Sequence, residues 1–194
     1  QDEASAFPVL LETAEGPLTD IAVDRETQTV YWSTGGSPVE VDGIVPVSIF
    51  GAVNWEAGVV DRVSLAGRID RFSIDPVAEK VYWVDGHFNS VRRANLDGTG
   101  QENFYDNETA LGKGGIDIDV AGGRVYWGEE LGNGNWQVLG IDLDGDLSSL
   151  EVVSEEEIGR IDDIVFVPEP TPGLLASGAL GSLGLLGRRR KNSP

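Results

Sequence analysis

The amino-acid sequence predicts an all-β protein assembled from repeated four-stranded units. Three segments with one pattern end in Val-Tyr-Trp, at 20–32, 72–83 and 116–127. In each segment an aspartate precedes the tryptophan by eight residues, and successive tryptophans are 51 and 44 residues apart. The segments alternate in polarity and are rich in β-branched and aromatic residues, as strands are. A repeat of this period is typical of the blades of a β-propeller.

Each repeat carries signals for four antiparallel strands. The alternating first strand is followed by a short turn, and the Val-Tyr-Trp segment is a strong second strand. In the second and third repeats a third strand ends in an Asp-Gly turn, within 90–100 and 137–146. A fourth strand follows around 102–105 and 150–153. Four antiparallel strands form one propeller blade.

The first repeat is longer in its middle, from 38 to 67. We expect 45–50 and 59–65 to be its third and fourth strands, joined by a loop that carries Trp55. A different alignment matches Val-Ser-Leu-Ala-Gly of this repeat with Ala-Asn-Leu-Asp-Gly of the second. That alternative leaves the first blade without a fourth strand.

The number of blades is irregular. Three repeats are full, 162–168 resembles the first strand of a fourth, and 8–12 is a candidate outer strand for the same split blade. Propellers have about four blades or more. A fourth blade made from both ends of the chain would close the ring, but its two middle strands are missing. The sequence leaves open an incomplete ring, a distorted ring, a ring completed by a partner chain, or a piece of a longer protein. We assign residues 1–167 to this small or partial β-propeller domain.

The second repeat resembles the YWTD β-propeller repeat of LDL-receptor-type domains and their bacterial relatives. It reads Tyr-Trp-Val-Asp at 82–85 and continues to Ala-Asn-Leu-Asp-Gly, whereas the other repeats depart from the motif at Thr34 and Glu129. The resemblance covers about residues 18–167. It implies that the aspartate ties neighbouring backbone together and that the aromatic pairs pack between blades. These aromatic residues are Tyr31, Trp32, Tyr82, Trp83, Tyr126 and Trp127.

Residues 168–194 differ from the rest of the chain. Pro168, Pro170 and Pro172 exclude regular structure and predict an extended linker. Residues 171–187 are uncharged and, as a helix, would reach about 25 Å, near the lower limit for spanning a bilayer. We predict a C-terminal hydrophobic, transmembrane-like helix there. A helix docked on the propeller or a flexible terminus is the alternative.

A basic cluster follows this apolar segment: Arg188, Arg189, Arg190 and Lys191. By the positive-inside rule these residues stop transfer and stay cytoplasmic, which places residues 1–167 outside. The chain also lacks methionine, so we expect that its translated start has been removed. A removed secretory signal peptide is the simplest cause, and a boundary chosen for expression is the alternative.

The order of these parts resembles the PEP-CTERM sorting signal of Gram-negative bacteria. The motif that carries the resemblance is Val167, Pro168, Glu169 and Pro170, followed by the apolar segment and the basic cluster. The resemblance implies processing by an exosortase at the motif, with transient insertion of 171–187 in the inner membrane. It implies a destination in the cell envelope or extracellular matrix, often in organisms that form biofilms or exopolysaccharide.

Composition excludes several classes of function. The net charge of −19 makes nucleic acid an unfavourable partner. Without cysteine there is no disulfide, thiolate nucleophile or thiolate metal site. The single histidine, His87, lies in a predicted turn, and the acidic run around Asp144 lacks the glycine and acid of a calcium loop. We therefore predict no catalytic residue, no metal and no cofactor.

Two tryptophans lie outside the repeat pattern, Trp55 and Trp136. Aromatic faces on loops stack on sugars or anchor protein contacts, and the alternative is that both rings cover the core. Our leading hypothesis is an exported, non-catalytic binding or structural propeller that contacts exopolysaccharide or envelope proteins. A glycan-acting lyase or hydrolase with acids at the ring centre is the second hypothesis. A fragment that needs a partner chain is the third.

Overall fold

The computed structural model describes residues 17–35, 47–58, 60–107, 110–132, 134–158, 160–167 and 182–186. Within them the chain forms three four-stranded antiparallel sheets and one two-stranded sheet. The strands of each large sheet are hydrogen-bonded in chain order. The prediction of an all-β protein with four-stranded antiparallel blades is confirmed.

The first blade contains the irregular repeat. Its strands are β1 (Leu18–Asp24), β2 (Thr29–Thr34), β3 (Val47–Asn54) and β4 (Val60–Ala66). The predicted third and fourth strands are confirmed, and Trp55 lies in the turn between them. The alternative alignment, which left out the fourth strand, is wrong because β3 and β4 pair along seven consecutive positions.

The second and third blades follow the predicted pattern. The second contains β5 (Ile69–Asp75), β6 (Lys80–Asp85), β7 (Ser90–Asn95) and β8 (Glu102–Asp106). The third contains β9 (Gly112–Asp119), β10 (Arg124–Glu130), β11 (Trp136–Asp142) and β12 (Glu151–Ile158). A single 3₁₀ turn, Leu147–Ser149, precedes β12 among the described residues.

The fourth blade begins with β13 (Asp163–Val167), which pairs with β14 (Ser182–Leu186). The predicted C-terminal helix over 171–187 is therefore wrong at 182–186. Glycine costs about 1 kcal/mol against alanine in a helix, and β13 offers an open edge of hydrogen-bonding groups. Within the described part of the chain, no helix is long and apolar enough to cross a membrane. The remaining tail, and the predicted strand at 8–12, lie outside the described residues.

The first strands of the blades surround one axis. β1 packs against β5, β5 against β9, and β9 against β13. The carboxylates of Asp20 on β1 and Asp163 on β13 are close enough to interact electrostatically. The described strands therefore arrange four blades around a ring, with two strands described in the fourth.

The spacing between aspartate and tryptophan, which recurs in three repeats of this chain, has a local cause in the first turn of each blade. Asp75 ends β5, and its Oδ1 accepts hydrogen bonds from the backbone N–H groups of Val77 and Ala78 at 3.0 Å. Asp24 and Asp119 accept from their following turns in the same way. The aspartate fixes the turn, and the turn length then fixes the register of the Tyr-Trp strand.

The aromatic residues fill the spaces between blades, as predicted. Phe50 of the first blade packs edge-on to Phe72 of the second, with ring centroids 5.3 Å apart. Between the second and third blades, Tyr105 lies 4.7 Å from Trp127. The predicted core aromatic residues are buried except Tyr126, which is half-buried and stacks on Phe166 of β13.

Candidate functional site

Asp85, the aspartate of the second repeat, is structural. Its side chain is fully buried, and Oδ1 accepts from the backbone N–H groups of Arg68, His87 and Phe88 at 2.9–3.1 Å. These bonds join the β4–β5 connection to the β6–β7 turn, the role that the YWTD resemblance implies. Arg92 adds a 3.5 Å ion pair from β7.

The first and third repeats, which depart from the motif, carry other buried residues at the position of Asp85. Glu129 stands at the equivalent position of the third blade, and its Oε1 lies 2.8 Å from Lys113 Nζ with both side chains fully buried. The amide of Gln137 donates to the other oxygen of Glu129 at 3.1 Å. In the first blade the position is Thr34, whose hydroxyl accepts from Ile49 N–H at 3.3 Å. This position therefore holds the blade together in all three repeats.

A large open groove lies between the first and second blades. Its volume is about 920 Å³, within the range of ligand sites. Tyr31 and Asp61 line it from the first blade, and Glu79, Asn95 and Asp97 from the second. The lining positions lie in or beside the turns after the first and third strands of a blade, so the groove opens on one face of the ring.

The polar groups of the groove are held in place by the turns. Asn95 accepts from Lys80 Nζ and donates to Thr99 Oγ1 at 2.8 Å. The hydroxyl and backbone N–H of Thr99 hydrogen-bond Asp97 at 2.6 and 2.9 Å and lower the pKa of that carboxyl. Asp97 therefore stays ionised and its position is fixed by its own turn.

The first-blade wall is also fixed. Asn54 uses both ends of its amide: Oδ1 accepts from the N–H groups of Glu56 and Ala57, and Nδ2 donates to the Thr27 carbonyl at 2.7 Å. Burial raises the pKa of Tyr31, so its phenol stays protonated. Apart from Arg62, the charged side chains of the groove are carboxylates, and its oxygen acceptors suit ligands with many hydroxyl or ammonium donors.

The two candidate stacking residues have different surroundings. Trp55 is half-buried in the β3–β4 turn, close in sequence to Ala57 of the groove wall, and its backbone N–H donates to the Gln28 carbonyl. Trp136 is 7% exposed and packs with Ile161 and Ile164, so its ring covers the core between the third and fourth blades. Stacking of either ring on a ligand stays a prediction.

The other singled-out residues have local roles. The ring of His87 packs on Phe88 with centroids 4.6 Å apart. Asp146 caps the 3₁₀ turn by accepting from Ser148 N–H at 2.9 Å. Within the described residues, no group of three or more His, Asp or Glu side chains could hold a metal ion. Val167 ends β13, whereas Pro168, Glu169, Pro170 and the basic cluster at 188–191 lie outside the described residues.

The sequence analysis did not identify the acids of the groove. Asp61 is the second residue of the fourth strand of one blade, and Glu79 and Asp97 lie in turns of the next. The usable signal is topological: in an antiparallel blade, the turns after strands one and three lie on the same face. Acids in those turns of adjacent repeats therefore converge.

No family model matches the sequence. Among curated proteins, the chain is similar to Protein cueball of Drosophila sechellia, with 25% identity over 154 residues, and of Drosophila willistoni, with 26% over 132 residues. The alignments cover 78% and 64% of this chain but only 23% and 19% of those relatives. The chain thus spans less than a quarter of the length of these relatives.

Two solved structures share the fold. A chain in the crystal structure of the nidogen/laminin complex matches with a TM-score of 0.61 and 17% identity, over 79% of this chain and 54% of that one. The β-propeller domain of the trilobed protease from Pyrococcus furiosus, which has an open velcro topology, matches with a TM-score of 0.50 and 10% identity, over 91% and 58%. The chain therefore folds as a β-propeller with YWTD-like blades.

Proposed function

We propose that this chain is an exported, non-catalytic binding propeller whose groove between the first two blades holds a hydroxyl-rich ligand, such as a segment of exopolysaccharide. The observation that carries the proposal is the open, acceptor-lined groove of about 920 Å³. Its volume takes several sugar units, and the carboxylate of Asp97, which its own turn holds in place, accepts hydrogen bonds from hydroxyl groups. A binding role also fits the structural likeness to a nidogen chain in a complex with laminin.

The same groove accommodates an envelope protein with exposed lysines, because its lining includes Asp61, Glu79 and Asp97. We favour the glycan because the groove is open and polar, whereas protein-binding centres are depleted in charge. A glycan ligand needs no large apolar surface, and its hydroxyl groups match the acceptors that the groove presents.

A glycan array with the full chain tests this proposal. Asp97→Asn removes a groove charge, and Asp144→Asn is a matched control because Asp144 occupies the equivalent turn of the third blade and also accepts from a turn N–H. We expect Asp97→Asn to weaken glycan binding about three- to tenfold, because a neutral acceptor then replaces a charged one in the same hydrogen bond. Asp144→Asn should bind as the parent does. Equal effects of both variants would show that the glycan does not bind in the groove.

The tail adds a proposed route. An exosortase would recognise Val167, Pro168, Glu169 and Pro170 while 171–187 sits in the inner membrane and the basic cluster at 188–191 stays cytoplasmic. The order of motif, apolar segment and basic residues supports this. Mass spectrometry of the mature protein from its host should find a C-terminus near Pro168–Pro170. A C-terminus at Pro194 would contradict sorting by this route.

An extracellular glycan-acting lyase or hydrolase is the second candidate. The observation that favours it is that Asp70 and Asp162 both line a cavity at the ring axis. However, Arg68 and Arg160 contact these carboxylates at 2.7 and 2.6 Å, so both acids are already engaged in ion pairs. Turnover of any polysaccharide by the full chain, measured by release of reducing ends or unsaturated sugars, would favour the enzyme.

A further inference from the structure

β13, the first strand of the fourth blade, is paired differently from the first strands of the other blades. In those blades the second strand follows after a short turn, at 25–28, 76–79 and 120–123. β13 is instead joined to β14 by the long link 168–181, and of the strands that the structure describes, β14 is the only one paired with it. A segment of the tail therefore fills an edge that a local hairpin strand fills elsewhere.

The third blade holds β13 in place through contacts that do not involve β14. Ile164 is buried in one cluster with Trp136 of β11, and the ring of Phe166 stacks on Tyr126 of β10. The backbone of β13 also lies so close to β9 that a Cβ added to Gly115 would come within 2.4 Å of it. A strand that is fixed in this way by its neighbour is a preformed edge for pairing.

The edge of β13 that faces away from β14 has partners for its N–H groups. The N–H of Ile164 donates to Oδ1 of Asp163 at 2.9 Å, and the N–H of Phe166 donates to Oδ2 of Asp117 on β9 at 2.7 Å. These bonds do not depend on β14, because both acceptors belong to β13 and β9. This edge is therefore satisfied without the tail.

The opposite edge, which faces β14 and is called the outer edge here, depends on the tail. Because successive N–H groups of a strand point to opposite edges, those of Val165 and Val167 point toward β14. The register places Val165 opposite Gly184, at the centre of five consecutive pairs. The side chains of Val165 and Val167 are 39% and 49% exposed. Without β14, the outer edge would have unpaired backbone groups beside exposed apolar side chains.

The sequence of β14 shows what the outer edge accepts. Ser-Leu-Gly-Leu-Leu carries no charge, and the register places Leu183 opposite Phe166 and Leu185 opposite Ile164. A strand added to a sheet edge gains affinity from backbone hydrogen bonds and specificity from its alternate side chains. The matching ligand is an extended, uncharged segment with aliphatic residues at alternate positions.

We infer that the outer edge of β13 is a strand-acceptor site, which 182–186 fills in cis and which an extended aliphatic segment of another protein fills once the tail is withdrawn. The tail competes at a high effective concentration, because one chain carries both partners. The site itself is independent of the groove and of processing. The proposed route of export adds only the step that withdraws the tail, by membrane insertion or by removal.

A fluorescent peptide of residues 180–190 tests the site by anisotropy, because its arginines keep it in solution. In the full chain, Gly184→Pro removes the N–H that stands opposite Val165 and so vacates the site. We expect the peptide to bind this variant at least about tenfold more tightly than the parent, in which the tail competes. The Gly184→Pro version of the peptide has the same charge and should bind at least about tenfold more weakly. Equal binding to the two chains, or of the two peptides, would overturn the inference.

Hydrogen exchange of backbone amides locates the bound peptide. The amide of Val165 should exchange faster in Gly184→Pro than in the parent, and it should slow again when the peptide is added. The amide of Phe166, which is bonded to Asp117, should stay protected throughout. Loss of protection at Phe166 would show that β13 is not a preformed edge, and peptide binding without renewed protection of Val165 would place the peptide elsewhere. Either result would overturn the inference.

Analytical ultracentrifugation distinguishes the remaining occupant. Self-association of Gly184→Pro without peptide would show that a second copy fills the edge, which would overturn the assignment to another protein. The outcome is also separable from that of the proposed function. The groove lies between the first and second blades, so Gly184→Pro should leave glycan binding unchanged, and Asp97→Asn should leave peptide binding unchanged. If the peptide binds the vacated edge while no glycan binds in the groove, the groove proposal fails and the strand-acceptor site stands.

Discussion

Replacing Lys113 by methionine should destabilise the third blade strongly. The Nζ of Lys113 lies 2.8 Å from Glu129 Oε1, and both side chains are fully buried. The replacement keeps the length and apolar stem of the side chain but leaves the Glu129 carboxylate with Gln137 as its described polar partner. The buried Glu129 carboxyl group then lacks its counter-charge.

The magnitude follows from the burial of both groups. Breaking a buried ion pair on one side costs about 3 to 5 kcal/mol, because the remaining charge loses solvation without its counter-charge. In a chain of this length, about 1 kcal/mol corresponds to roughly 2 to 4 °C in Tm, so we expect a decrease of the order of 10 to 15 °C. Adding Glu129→Gln removes the stranded charge and should restore more than half of the lost stability.

The first blade shows that this position tolerates an uncharged pair. Leu18 and Thr34 are paired across β1 and β2 in the register that Lys113 and Glu129 occupy across β9 and β10. Urea unfolding followed by tryptophan fluorescence gives the free energy of unfolding of the parent, both single variants and the double variant. A loss below about 1 kcal/mol for Lys113→Met, or a double variant as unstable as the sum of the singles, would refute the reasoning.

Three further predictions concern packing and pH. Gly115→Ala places a methyl carbon within 2.4 Å of the β13 backbone and should lower the free energy of unfolding by about 2 kcal/mol or more. Gly132→Ala, which has open space around it, should change the urea midpoint little. Equal effects of the two variants would mean that the third and fourth blades do not pack as described. Burial raises the pKa of Asp20 above its usual value of 3.8, so the stability that the protonated carboxyl contributes is lost as pH rises through the folded-state pKa. Asp20→Asn should reduce the resulting fall in Tm, and an unchanged pH profile of Tm would count against this reasoning. A threonine hydroxyl lowers the pKa of Asp24, so its contribution is lost as pH falls below 3.8; Asp24→Asn should lower Tm at pH 7 and bring it closer to the parent value at pH 3, and a constant difference would contradict this.

The blades were predictable because their signals are local and repeated. Aspartate-bounded turns, alternation and Asp-Gly turns each act over fewer than about ten residues, and three copies reinforce one another. The strands of the longer first repeat were also predicted, since the expected strands at 45–50 and 59–65 overlap β3 and β4. The register was implied by the constant spacing from Asp75 to Trp83, which the first turn enforces.

The tail was not predictable by the same reasoning. The length and lack of charge of residues 171–187 are compatible with a helix and with a strand. In a glycine-rich segment, periodicity does not distinguish the two. What decides the structure at 182–186 is the unpaired edge of β13, a tertiary feature. The backbone pairing of Ile164 with Leu185 repeats that of Phe72 with Trp83, so Leu185 stands where a blade tryptophan would stand.

The cavity at the ring axis was hidden for a different reason. Arg68 and Arg160 each begin the tripeptide Arg-Ile-Asp, so a search for short repeats could have paired them. Lys113 gives no such signal, because in β9 it occupies the register position that Ile69 holds in β5. Only the packing of the first strands around the axis brings these three cations together.

The fourth blade links the fold to the proposed route of export. Residues 182–186 complete hydrogen bonds of β13 in the folded chain, and the same residues belong to the segment proposed to enter the inner membrane. One segment cannot occupy both places, so membrane insertion leaves β13 with an open edge until the segment is released or replaced. Because β13 also packs on β9 and follows directly from Arg160 and Asp162, a change in its pairing would reach the axial cavity through the backbone.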